Sequence, residues 1–202
     1  MRMMELALIQ TPEKGFFWRR ANVFLMPIVF LAAKECPEWI LANIKTGVRR
    51  ILGKIGQDRA LFDSFEEMKQ KSNPHVKEAL IVDVLSKTIK IDGQPLVTWG
   101  GPNIGFSFSA EVFLEEKRKI ESNYEDDPTV FERLIRRIAA HEFGHVLGLR
   151  HCSRKCLMRN RTETLSEMIE QMYKMEKSES YICPLCIEEA KKNYKKLNLE
   201  ME

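Results

Sequence analysis

The run HEFGHVLGLRHCSRKCLM, residues 141–158, gathers three of the chain's four histidines, two of its five cysteines and a single acid, Glu142. His141 and His145 stand four residues apart, so on a helix they share one face and can hold one metal ion. Glu142 lies beside the first of them, where it cannot easily join the same coordination shell. It is placed instead to take a proton from a metal-activated water. Gly148 then ends the helix, letting the chain turn so that His151 returns as a third ligand. Three protein ligands leave one coordination position open, the mark of a catalytic rather than a structural zinc site. The competing reading is a helix with hydrogen-bonded core histidines, which leaves the clustering of a rare residue unexplained. With the glycine and third histidine included, the pattern arises by chance at roughly one start position in 10⁵.

Working outward, Asp126-Asp127-Pro128 opens the helix, with Asp127 suited to the N-cap and Pro128 to the first turn, so a helix is expected over about 128–147. Val130, Leu134, Ile138, His141 and His145 follow at helical steps, so the metal ligands continue the core stripe. Arg133, Arg136 and Arg137 fall elsewhere and read as its solvated side. Near the N-terminus, Asn22 to Ala32 is a continuous apolar run expected to form a central strand. A weak secretory signal ending at Ala32-Ala33 competes with that strand, because Arg19-Arg20 precede it. Pro37 opens a helix through Lys54, with Ile40, Leu41, Ile44, Val48, Ile51 and Leu52 at helical spacing. A short helix is expected around Phe62 to Met68, and a longer one from Pro74 to about Lys90, capped by Asn73. His75, at its start, reads as a surface or capping residue. Ile91-Asp92-Gly93 reads as a hairpin turn leading into a strand over Leu96 to Trp99, and Ile104 to Phe113 as a second strand. Thr162 to Lys177 reads as a methionine-rich packing helix, and Ile187 to Glu200 as a charged one.

The other cysteine chemistry lies downstream. Cys152, Cys156, Cys183 and Cys186 form two close pairs, C-x₃-C and C-P-x-C, while Cys36 is left as a buried or idle thiol. That pairing suits a thiolate zinc knuckle, which a reducing cytosol would keep available, and a cytoplasmic location is expected on that ground. A disulfide framework in a secreted protein is the alternative.

HExxHxxGxxH, followed by the two cysteine pairs and by Cys156-Leu157-Met158, resembles the archaemetzincins, a family of metzincin metallopeptidases. The resemblance runs from about Asp127 to Met158 and through the CxxC. It implies an α/β (α+β) fold: a compact metzincin-like domain with a twisted mixed β-sheet, an active-site helix and a small zinc-bound C-terminal subdomain. The chain is then one domain over 1–202, divided near residue 148. Carried over residue by residue, His141, His145 and His151 would bind a catalytic zinc and Glu142 would be the general base. Met158 would form the Met-turn beneath the histidines, and Cys152, Cys156, Cys183 and Cys186 would hold a second, structural zinc. Here three residues separate the first two cysteines where the family usually has four, and the stretch from Met158 to Cys183 is longer than usual. Metzincins also bind extended substrate along an antiparallel edge strand just before the active-site helix. Gly105, Phe106, Ser107, Phe108 and Ser109 are the candidates, a buried hairpin without a substrate role being the alternative.

At 202 residues with 44% hydrophobic and 30% charged content, the chain has ample material for a core. A net charge of +3 is too small to point to nucleic acid or an anionic membrane as the main partner. The leading expectation is zinc-dependent hydrolysis of peptide bonds by a monomer, with two Zn²⁺ per chain and a peptide or protein substrate. Two other classes compete: a zinc-stabilised peptide- or protein-binding module with little peptidase activity, and a nucleic-acid-binding zinc ribbon. The ribbon leaves the three-histidine group unexplained. Tyr173 and Tyr181 are the nearest downstream tyrosines that could stabilise an oxyanion, and no motif supports either.

Overall fold

Alternation along Ile28–Ala32 (β1) sets the two faces of the sheet, because successive side chains of a strand point to opposite sides. Ile28 and Phe30 join the main core, whereas Val29 joins a smaller cluster with Phe62 and Met68. The computed structural model describes residues 27–32, 36–57, 61–71, 79–85, 89–91, 94–96, 98–101, 105–111, 114, 117, 121–122, 126–159 and 182–199.

The remaining elements, in chain order, are helix α1 (Glu38–Lys54), strand β2 (Leu61–Phe62), helix α2 (Phe65–Lys71) and strands β3 (Leu80–Leu85), β4 (Ile89–Ile91), β5 (Gln94–Leu96), β6 (Thr98–Gly101) and β7 (Gly105–Ser109). Helices α3 (Val130–Val146) and α4 (Pro184–Leu199) complete the chain. Five strands form one sheet in the order β2-β1-β3-β7-β6. The first four run parallel, and β6 lies antiparallel against β7 at the edge. Strands β4 and β5 make a separate antiparallel hairpin, with Lys90 opposite Pro95. This is the mixed sheet and helix arrangement expected. Among the described residues no helix is long and apolar enough to cross a membrane.

The main core lies between the sheet and the pair α1 and α3. Helix α1 brings Ile40, Ile44, Val48 and Ile51, and α3 brings Val130, Leu134 and Ile138, all buried. The two helices approach closely at Gly47, where a Cβ would strike the Arg136 carbonyl and the Ala139 methyl. Trp39 and Phe131 close one end, their rings 5.7 Å apart. Pro37 stands at the N-cap of α1 and the helix ends at Lys54, as the spacing requires.

Several expectations need correcting. The helix from Pro74 to Lys90 is not formed over its second half: Leu80–Leu85 is a strand between β1 and β7. A central parallel strand is buried on both faces, so its continuous apolar run loses the two-residue period that would distinguish it from a helix. Leu96 to Trp99 is divided between β5 and β6. The segment Gly105–Ser109 is a strand, but it is not an edge: β3 pairs with one side and β6 with the other. Both rows of its backbone groups are therefore taken up, and the antiparallel edge is Thr98–Gly101. Arg137 is buried, and Arg136 reaches across α1 to donate from Nε to the Asn43 side-chain oxygen. These arginines are thus part of the helix packing and not a solvated side. Expected elements at 22–26 and 162–177, and His75, lie outside the described residues.

Gly105 opens β7 with φ +142°, a conformation that side-chain-bearing residues rarely adopt. A Cβ there would overlap the backbone of Ile81, whose carbonyl oxygen, carbonyl carbon and nitrogen are its three nearest atoms. Gly105→Ala is therefore expected to destabilise the fold by about 3–5 kcal/mol, combining backbone strain with overpacking against atoms that cannot rotate away. Thermal unfolding checks this, and a melting temperature within a degree of the parent would refute it.

Candidate functional site

Helix α3 begins two residues later than the sequence suggests, at Val130. Asp127 still acts at its entrance: its carboxylate accepts from the Thr129 amide at 3.1 Å and holds Arg133 at 2.6 Å. The helix end is more consequential. Gly148 adopts φ +75°, the left-handed conformation that glycine reaches without strain. Its amide donates to the His145 carbonyl at 2.8 Å, and the Leu149 amide donates to the Gly144 carbonyl at 3.0 Å. This pair of bonds is the Schellman arrangement, and it folds the chain back over the last turn. Asn193 of α4 donates to the Leu147 carbonyl at 3.1 Å, satisfying a carbonyl that the helix itself leaves without a partner.

The reversal has a chemical result. It brings the Leu149 carbonyl to 2.8 Å from His145 Nδ1, and the following turn brings the Leu157 carbonyl to 2.9 Å from His141 Nδ1. A carbonyl can only accept, so each Nδ1 carries the proton and each Nε2 offers its lone pair. The two Nε2 atoms face each other at 3.1 Å. Two nitrogens bound to one tetrahedral zinc at ~2.0–2.1 Å stand roughly 3.3 Å apart, so the pair is preset for a shared ion. His151 completes the group, its ring centroid 4.7 Å from His145 and 5.4 Å from His141, with the three donor atoms within 4.8 Å of one another. Burial first, and then the two neighbouring histidines, hold His141 down to about 4 against the Leu157 hydrogen bond. It is therefore neutral and ready to ligate at physiological pH. Glu142 is half-buried on the same helix turn.

Met158 is fully buried, and its sulfur packs where a Gly144 side chain would sit, one residue before His145. The turn carrying it is closed by the Cys152 amide donating to the Met158 carbonyl at 2.7 Å. Gly144→Ala would gain about 1 kcal/mol of helix propensity. Displacing Met158 should offset that gain by about 1–3 kcal/mol. The larger expected effect is on the metal: zinc affinity should fall ~10-fold or more as the Met158 packing against the His141–His145 turn shifts. Competitive zinc titration reads this directly, and unchanged affinity would show that Met158 does not support the site.

Cys152, Cys156, Cys183 and Cys186 meet as a second cluster with sulfurs within 4.8 Å, and all five cysteines of the chain are free thiols. Cys152 and Cys183 sulfurs are 3.9 Å apart, against roughly 3.8 Å for two thiolates on one tetrahedral zinc at ~2.3 Å. Burial would raise the Cys183 thiol, but hydrogen bonds from the Cys186 amide and the neighbouring thiols outweigh it and lower it to about 7. Burial, reinforced by sharing with Cys183, pushes Cys186 up. Of these thiols Cys183 is thus held below the usual thiol range and Cys186 above it. Arg154 donates to the Cys152 sulfur at 3.8 Å, so a fixed positive charge lies against the cluster. Cys36 stands apart, half-buried beside Pro37, with its thiol raised by burial.

All three histidines and all four paired cysteines are therefore brought together as expected. The sequence reading missed the carbonyls of Leu149 and Leu157, and Asn193 and Arg154. Backbone acceptors leave no trace in side-chain identity, and Asn193 sits in a lysine-rich helix with nothing to mark it. Tyr173 and Tyr181 lie outside the described residues.

Comparison with known proteins agrees with this architecture. Peptidase family M54 matches residues 57–192, about two-thirds of the chain and both ligand groups. The fold is similar to that of archaemetzincin from Methanopyrus kandleri, with a TM-score of 0.57 at 14% identity over 85% of this chain and 96% of that one. It is also similar to a zinc-dependent peptidase from Methanocorpusculum labreanum, with a TM-score of 0.51 at 14% identity over 81% of this chain and 99% of that one. No curated protein matches the chain by sequence. With the family match spanning the histidine motif and the cysteine pairs, the chain belongs to peptidase family M54, the archaemetzincins, and is a metallopeptidase.

Proposed function

We propose that His141, His145 and His151 hold a catalytic zinc, that Glu142 is the general base, and that the four paired cysteines hold a second, structural zinc. The observation that carries the first assignment is the pair of Nδ1–H bonds to Leu149 and Leu157, which leaves both Nε2 lone pairs aimed at one point. Neutral nitrogen donors and thiolates suit zinc better than calcium or magnesium, which prefer oxygen. Zinc in a three-histidine site supplies a Lewis acid that acidifies water and polarises the scissile carbonyl. Glu142, one residue from His141 and outside the ligand set, accepts the proton of the attacking water and passes it to the departing amine. Leu149 and Leu157 hold the two imidazoles in the required tautomer throughout, and Met158 packs against Gly144 on the helix turn that carries them.

The substrate is a peptide or protein. Because β7 is paired on both sides, main-chain pairing with an extended substrate falls to the antiparallel edge strand β6, whose outer row of amides and carbonyls has no neighbouring strand among the described residues. Zinc stoichiometry tests the assignments together. The native chain should carry two zinc ions and the His141→Ala/His145→Ala double variant one, with peptide hydrolysis lost. A zinc content unchanged by the double substitution would remove the catalytic site from these histidines. Two bound zinc ions with no cleavage of any peptide in a diverse library would favour a binding module.

A further inference from the structure

From Gly148 to Met158 the chain forms neither helix nor strand, yet this loop supplies one candidate metal ligand and sets the other two. His151 is exposed within it, and the Leu149 and Leu157 carbonyls that orient His145 and His141 stand near its two ends. Such a loop owes its shape to its attachments, because it has no ladder of hydrogen bonds of its own. Past Leu149, its backbone bonds among the described residues are two. The Cys152 amide donates to the Met158 carbonyl at 2.7 Å, and the Arg159 amide to the Cys156 carbonyl at 2.9 Å. Both involve a cysteine.

Cys152 directly follows His151, and Cys156 directly precedes Leu157. Each cysteine of this pair is therefore one residue from a group that fixes an imidazole. Their partners stand at the start of α4, which is itself seated in the main core by Ala190 and Tyr194. The Cys183 sulfur lies 3.9 Å from that of Cys152, and the Cys183 amide donates to the Cys156 sulfur at 3.2 Å. The same helix holds the other end of the loop, where Asn193 donates to the Leu147 carbonyl beside Gly148. Helix α4 thus grips the loop at both ends, and the sulfur end is the one that a metal can lock. Thiols are weak hydrogen-bonding groups, whereas metal–thiolate bonds would fix residues 152 and 156 on α4.

We propose, resting on the assignment of both ligand groups to zinc, that metal at the cysteines raises the affinity of the histidine site for its own ion. The cysteine metal is then an effector of the catalytic centre as well as a staple of the fold. An ion that binds three histidines must meet the loop in the arrangement described here. Pinning residues 152 and 156 raises the fraction of molecules so arranged and removes ordering entropy that the second ion would otherwise oppose. Such coupling is reciprocal, so an ion at the histidines tightens the cysteine site by the same factor. Two independent staples, the simpler alternative, would leave each affinity indifferent to the other ion.

Cobalt(II) reads the two sites separately, because thiolate ligands add a charge-transfer band that imidazole ligands lack. The reduced, metal-free, full-length chain is first given one equivalent of zinc, which soft thiolates take in preference to imidazoles. Absence of the charge-transfer band on later cobalt addition shows the cysteines filled. Cobalt is then titrated into the histidines against a competing chelator. Cys183→Ser, given no zinc, should bind cobalt at its histidines ~10- to 100-fold more weakly, at a temperature where circular dichroism shows the variant folded. Cys183→His, which keeps a Cys₃His donor set, should restore the native affinity once its zinc is bound. Equal affinity in the native chain and folded Cys183→Ser overturns the proposal. For a serine variant that folds at no temperature, histidine-ring NMR of the native chain decides. The first equivalent of zinc should shift and sharpen the His141 and His151 ring signals while the thiolates take the metal. Rings that stay unchanged until the second equivalent overturn the proposal. Cobalt spectra unaltered by the His141→Ala/His145→Ala double substitution would refute the histidine site itself, and the coupling with it.

Discussion

Glu142→Gln is expected to keep its full zinc content and melting temperature while peptide hydrolysis falls ~10²–10⁴-fold, the usual contribution of a positioned acid–base group. The amide has almost the same shape as the carboxylate, so the half-buried helix turn around it has no reason to repack. It cannot accept a proton at neutral pH, so the water loses its base and the departing amine its acid. Zinc binding should be untouched, because the three donor nitrogens and the carbonyls that orient them come from other residues. Measuring kcat/KM together with bound zinc keeps the roles apart. Loss of both would make Glu142 a structural residue, and retention of activity would require another proton acceptor.

The second large effect concerns the cysteine cluster. Cys183→Ser should lower the melting temperature by roughly 10–20 °C, since a loss of several kcal/mol shifts a domain of this size by about 2–4 °C per kcal/mol. Cys183 is the thiol most ready to ionise, and its amide also donates to the Cys156 sulfur at 3.2 Å. Serine keeps the amide but replaces the thiolate with a hydroxyl that ionises far less readily. A metal held by Cys152 and Cys156 on one side and Cys183 and Cys186 on the other joins the Met158 turn to α4. Without it, that join relies on packing around Ile182, Ala190 and Tyr194 and on the Asn193 bond to Leu147. Excess chelator should bring the native protein down to the variant's melting temperature and leave the variant little changed. Coincident melting curves before chelation would show that the cluster carries no structural metal.

Two of the corrected elements show what local reading lacks. Leu80 to Leu85 fits a helical pattern as well as a strand because a strand covered on both faces is apolar throughout, and only its parallel neighbours reveal the pairing. The pattern of Gly105 to Ser109 marks a strand but not its place between β3 and β6, since strand order is a property of the sheet and not of any segment. The places of Arg136 and Arg137 depend on how closely α1 approaches at Gly47, which helical spacing within 128–147 does not carry.

Ligand identity and spacing belong to the sequence alone: the residue types at 141, 145, 148, 151 and 152–158 already specify nitrogen and sulfur donors and a helix that must end at a glycine. Those demands are local, met within one or two turns of chain, so they can be read without knowing the fold. What tertiary structure decided was the second layer: which carbonyls orient the imidazoles, which side chain closes the helix end, and which strand is left with an open edge. Each of these joins backbone or side-chain groups distant in sequence, such as Leu157 to His141 and Asn193 to Leu147, through hydrogen bonds whose partners carry no motif. Only packing the helices against the sheet brings such groups within reach of one another.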